Sequence, residues 1–216
     1  MGSAALNVME DCVVSAAQLS ALLVKPAGEL KGAVVLGLLG TDSRFTSANH
    51  FLSSSFARAG LAVLAVELLT EDEDAHRELA HADLPLLAER LSAAADWLAD
   101  RTRLAHERVA LVGVGDVGAA ALVAAAARPE LARAVVCAAT ALDLAGTAVV
   151  LSRTPTLVLV GDGDPAALHG SRMLPAMHCD HRLEVICGAG PRLIEPGALD
   201  RVVSVATPWL LARLER

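Results

Sequence analysis

The stretch Val109–Ala121, VALVGVGDVGAAA, contains Gly113-Val114-Gly115-Asp116-Val117-Gly118, between an apolar run and an alanine-rich run. Two kinds of chemistry use such a turn. A G-x-G-x-x-G turn can cradle a dinucleotide pyrophosphate, with glycines allowing close backbone approach and a helix N-terminus facing the anion. A strand–elbow–helix turn can instead lift a catalytic side chain above a sheet. The late position of the motif and the acid inside it, Asp116, argue against the phosphate cradle, so no NAD or FAD is expected. In the elbow frame Val114-Gly115-Asp116-Val117-Gly118, Asp116 is central and Val114 replaces the first glycine of G-x-S-x-G.

The elements that must position this turn are readable as short apolar runs alternating with helical patterns. Strands are expected near 10–15, 19–24, 33–39, 61–68, 108–114, 132–138, 155–161 and 182–188. The later runs are apolar on consecutive residues, as in parallel strands covered on both faces. Helices are expected over 48–60, 83–101, 118–128 and 197–213, the last broken or kinked at Pro208. The acidic run Glu71–Asp74 reads as a solvated loop. Strands alternating with helices imply one α/β domain over 1–216, with ligands at the carboxyl ends of the strands.

Composition narrows the function further. The 216 residues are 54% hydrophobic and 20% charged, carry a formal charge of −7, and are only 2% aromatic. No basic stripe with interleaved aromatics is present, so a nucleic-acid partner is not expected. No apolar run is long enough to span a membrane and no signal peptide is evident, so a cytoplasmic setting is the expectation. Cys12, Cys137, Cys179 and Cys187 lack C-x-x-C spacing and read as free thiols, Cys137 and Cys187 in strands, with no metal site.

In motif order the chain resembles the dienelactone-hydrolase-like branch of the α/β-hydrolases. The segment GTDSRFTSANHFLSSSFARAGLAVLAVELLTEDED is similar to that family's oxyanion loop through its fourth strand. DLPLLAERLSAAADWL resembles the long helix before the elbow, and TPTLVLVGDGD the strand and loop of the triad acid. RLEVICGAG, followed by EPGAL, resembles the last strand and the histidine loop. The resemblance implies an α/β-hydrolase fold, a mostly parallel sheet with helices on both faces and no separate lid domain. It assigns Asp164 to the triad acid, with Asp162 as a neighbouring substitute. Pro191 falls where the family has its histidine, and Leu38-Leu39 where it has a histidine-glycine pair. Backbone N–H groups at Leu39 and Val117 can still form an oxyanion hole, because that role needs no particular side chain.

Asp116 then has several readings. Some α/β-hydrolases use an elbow aspartate as nucleophile, with a histidine to release the ester. Asp116 can also act as a general acid or base, or occupy the turn because aspartate adopts unusual backbone angles readily. His50 and His169 lie on the correct side of the sheet to replace the missing base. Arg44 can attract an anionic substrate or serve the surface, Arg192 can point into the space left by the missing histidine or into solvent, and Glu67 can stand near Asp116 and raise its proton affinity. The expected function is action on a small organic molecule at an atypical site centred on Asp116, of cyclase, isomerase or lyase type, with no cofactor. The alternatives are a hydrolase with an Asp116 nucleophile and a non-catalytic protein that binds a ligand or partner.

Overall fold

The computed structural model describes residues 7–14, 17–76 and 83–215. An eight-stranded sheet forms the centre, in the order β1-β2-β4-β3-β5-β6-β7-β8. Its strands are β1 Val8–Val14, β2 Leu19–Lys25, β3 Gly32–Leu38, β4 Leu61–Glu67, β5 Val109–Val114, β6 Ala134–Ala138, β7 Thr156–Gly161 and β8 His181–Ile186. β1 and β2 are antiparallel to their neighbours, and β3 through β8 run parallel.

Alternation along each strand sends side chains to two separate cores. Val35, Leu64 and Leu111 point to one face, where they meet α3 (Leu84–Thr102) and α4 (Asp116–Ala127). Val34, Leu36 and Val63 point to the other, covered by α1 (Ser47–Arg58) and α7 (Ala198–Leu214). The alanine-rich α4 is buried on most of its surface. Small residues let it sit close to the sheet, and at Gly118 a Cβ would collide with the Thr140 hydroxyl.

Three expectations about these elements are corrected. α7 continues through Pro208. The missing N–H there deprives the carbonyl four residues earlier, on Ser204; both residues are exposed, while Val205, Ala206, Trp209 and Leu210 keep the helix on the sheet. Glu71–Asp74 belongs to a short helix, α2 (Glu71–Ala75), closed by a capping box between Thr70 and Glu73. Cys187 lies just past β8 and is exposed, whereas Cys137 is buried in β6.

β8, at the sheet edge, is not covered on both faces: Leu183 is 39% and Val185 41% exposed. Three shorter helices complete the loops. They are α2, α5 (Ala148–Leu151) and α6 (Pro165–Gly170). No described helix is long and apolar enough to cross a membrane.

Candidate functional site

The turn after β5 has its apex at Gly115, with φ 61° and ψ −130°. This corrects the frame read from the letters, which put Asp116 at the centre. Asp116 is already the first residue of α4 and does not have a positive φ. Glycine takes the left-handed apex without steric cost, whereas a residue bearing a Cβ is strained there. A Cβ built on Gly115 meets nothing within 4 Å, so a side chain at the apex would enter open space.

That space is a cavity of about 470 Å³ at the carboxyl ends of the central strands. Leu38 and Leu39 come from the end of β3, Val114 and Gly115 from the elbow, and Ala138 from β6. Thr46, Ala48, Asn49 and Leu52 come from the start of α1, and Leu199 and Val202 from α7. Pro191–Ile194 complete the rim. The wall is mainly aliphatic. Thr46 caps α1 through Asn49 N–H, at 3.4 Å, and Asn49 Nδ2 donates to the Ser43 carbonyl at 2.9 Å. Arg192 is the charged side chain on the rim, and it forms no ion pair among the described residues. The Glu195 carboxyl behind it is held below its usual pKa by its own backbone N–H and that of Gly190.

The structure brings only some of the expected residues to this cavity. Leu39, Val117, Pro191 and Arg192 line it with Gly115. With the apex at Gly115, the residue that follows it is Asp116 and not Val117. The Val117 side chain packs toward Gly37. The Asp116 side chain is absent from the cavity wall.

Asp164 is buried, and its Oδ1 accepts the Ala167 N–H at 3.0 Å, capping α6. Asp162 Oδ1 accepts the Gly188 N–H at 2.8 Å, and Gly163 N–H reaches the Ala189 carbonyl at 2.9 Å. These bonds stitch the loop after β7 to the loop that carries Pro191. Both loops therefore stand at the elbow end of the sheet, with their acids engaged by backbone.

The remaining candidates lie away from the cavity. His50 and His169 are exposed, and neither is in the wall. Glu67 is two strands away from the elbow, because β3 lies between β4 and β5. Its buried carboxylate takes Arg44 Nη1 at 2.8 Å and the Arg44 backbone N–H at 3.1 Å. Arg44 also stacks on Phe45, 4.2 Å from the ring centre. The pair clamps the loop after β3 onto β4. Nearby, Glu73 meets Arg90 with two hydrogen bonds, at 2.6 and 2.7 Å. Arg90 lowers the Glu73 pKa to about 2. Sequence reading missed Thr46, Asn49, Leu52, Leu199 and Val202. The Thr46-x-x-Asn49 cap was the available signal for where α1 starts and hence for which of its residues face the elbow.

Comparison with known proteins places this architecture. The dienelactone hydrolase of Anabaena variabilis ATCC 29413 is 34% identical and superposes with a TM-score of 0.84, over 97% of this chain and 98% of that one. A promiscuous dienelactone hydrolase-like phosphotriesterase from metagenomic libraries shares the fold at a TM-score of 0.76, with 15% identity over 96% of this chain and 98% of that one. Two Mycobacterium tuberculosis proteins carrying the provisional name phosphoribosyl transferase are 34% identical over 187 residues, 85% of this chain. The chain spans 42% of the length of these curated relatives. No family model matches the chain. With a third of its residues shared along almost the whole Anabaena enzyme, and the same fold built around its elbow, the chain belongs to the dienelactone hydrolase family of the α/β-hydrolases.

Proposed function

We propose that this chain is a ligand-binding member of the family that does not carry out Ser-His-Asp hydrolysis, and that its cavity holds a small, largely apolar organic molecule. The observation that carries this reading is glycine at the elbow apex, open to the cavity and without a side chain to attack a substrate. Pro191, at the position the resemblance gives to the base, lines the same cavity and has no side-chain group to take a proton. A volume of about 470 Å³ suits a small organic ligand. Aliphatic walls favour an apolar body, and Arg192 at the rim favours a ligand with an anionic or strongly polar end.

Acid or base chemistry by Asp116, or ester formation on it, requires its carboxylate within reach of the bound molecule. Its place outside the cavity wall weighs against both. The cavity does not suit the activity in the provisional name of the mycobacterial relatives. A phosphoribosyl donor is a polyanion, and this cavity offers it aliphatic walls and one guanidinium.

Thermal-shift titration with small apolar acids, lactones and esters tests the proposal, run beside nitrophenyl acetate hydrolysis. Saturable stabilisation by at least one class, with hydrolysis at the buffer rate, is the expected result. Wild-type turnover that disappears in Asp116→Ala overturns it.

A further inference from the structure

We propose that two copies of this chain associate through β8, extending the sheet across a two-fold axis at Leu183. β8 ends the strand order, so its outer edge is unpaired among the described strands. The backbone shows which residues offer that edge. Thr156 N–H donates to the Asp180 carbonyl, and Asp162 N–H donates to the Ile186 carbonyl. Even-numbered residues of β8 therefore turn their backbone groups toward β7. His181, Leu183 and Val185 turn theirs outward, ready to form an antiparallel ladder.

The side chains select both the partner and the register. Antiparallel pairing centred on Leu183 sets Leu183 against itself and His181 against Val185. It also sets Arg182 of each copy opposite Glu184 of the other, at a non-hydrogen-bonded position where facing side chains come closest. Both charge pairs are then complementary. Moving the centre to Arg182 faces two arginines, and moving it to Glu184 faces two glutamates. Leu183 and Val185 share the face of Val158 and Val160, their neighbours in β7, and extend that core layer to the edge. They are 39% and 41% exposed, so apolar area is available for a second copy to cover. Within one copy Glu184 already meets Arg182 at 2.9 Å and Arg201 from α7, so pairing exchanges one arginine partner for another.

The opposite edge of the sheet gives a contrast. β1 also exposes apolar side chains, at Val8, Met9 and Val13. Its charges, however, are Glu10 and Asp11, with no basic residue in the strand to answer them in a second copy. Charge complementarity therefore points to β8 alone.

Sedimentation velocity over a concentration series tests this with three proteins. Wild type should associate into dimers. Arg182→Glu places glutamates against Glu184 of the second copy, and Glu184→Arg places arginines against Arg182. Each variant should be weakened on the order of tenfold to a hundredfold in Kd, from two cross-strand pairs made repulsive. An equimolar mixture of the two variants restores both complementary pairs, so it should dimerise where neither does alone. Melting curves confirm that each variant is folded. A wild-type monomer at every concentration, dimers in either single variant at wild-type strength, or a monomeric mixture of folded variants each overturns the proposal.

Discussion

Placing a serine at the elbow apex gives a prediction whose size can be worked from the backbone. Gly115→Ser puts a Cβ at φ 61°, ψ −130°. Holding a residue with a side chain in such a region costs about 1–3 kcal/mol. No steric term is added, because the built Cβ meets nothing within 4 Å. For a chain of this size that loss lowers Tm by roughly 2–12 °C. Gly115→Ala should cost the same, since the strain comes from the Cβ and not the hydroxyl. The serine variant should still be a poor esterase, because an unassisted hydroxyl is a weak nucleophile at neutral pH. Pro191→His alone lacks a nucleophile. Together the two changes put a hydroxyl and an imidazole on one cavity, with Asp164 in the adjoining loop. Triad members act as a unit, so the double variant's gain should exceed the product of the single gains. Calorimetric melts and nitrophenyl acetate hydrolysis for the wild type, both singles and the double provide the measurement. An unchanged or raised Tm in Gly115→Ser refutes the strained apex. A Gly115→Ser enzyme as fast as the double variant refutes the need for a base at residue 191.

Two further outcomes follow from the ion pairs around the loops. Glu73 has its pKa lowered from 4.5 to about 2 by Arg90. Each unit is worth about 1.4 kcal/mol, and with 33% of the side chain in water, screening leaves about 1–2 kcal/mol. A depressed carboxyl stabilises the fold above its unfolded pKa, and that contribution fades as pH falls from 4.5 toward 2. Urea melts should show wild type more stable than Glu73→Gln near neutrality, with the gap closing in acid; a constant gap contradicts the assignment. Glu67→Ala should cost about 3 kcal/mol, because it leaves the largely buried Arg44 guanidinium without its nearest partner. Arg44→Met with Glu67→Leu should recover most of that loss, and a single variant costing less than about 1 kcal/mol contradicts the clamp.

The strands were legible because each is a compact apolar run bounded by turn residues, and such runs have few other places to go in a packed domain. β3 and β4 were expected at 33–39 and 61–68 and stand at Gly32–Leu38 and Leu61–Glu67. The elbow was legible as a turn but not in register. Glycines at 113, 115 and 118 let several frames fit the same letters, and only the backbone angles mark Gly115 as the apex. The exposure of β8 was hidden for a different reason. Which strand ends a sheet depends on long-range order, and an apolar run reads the same at an edge as at the centre. Glu67 and Asp164 were legible as acids near the ends of strands, but the local partners that engage them were not. Those partners are Arg44 and the Ala167 N–H. The acidic run at 71–74 concealed a cap, since Thr70-x-x-Glu73 begins one residue before it and ends within it.

The strand order also sets a problem of timing for a chain made from its N-terminus. β1 and β2 form a local antiparallel hairpin, but the other edge of β2 waits for β4, with Ala21 opposite Val66. β3 must wait for both β4 and β5, and it is buried along its whole length once they arrive. Contacts between such distant segments close slowly, because loop entropy is lost before they are rewarded. Until β5 emerges, the apolar strands β2, β3 and β4 are exposed to other nascent chains. The elbow and its cavity therefore take shape only after more than half of this sequence has left the ribosome.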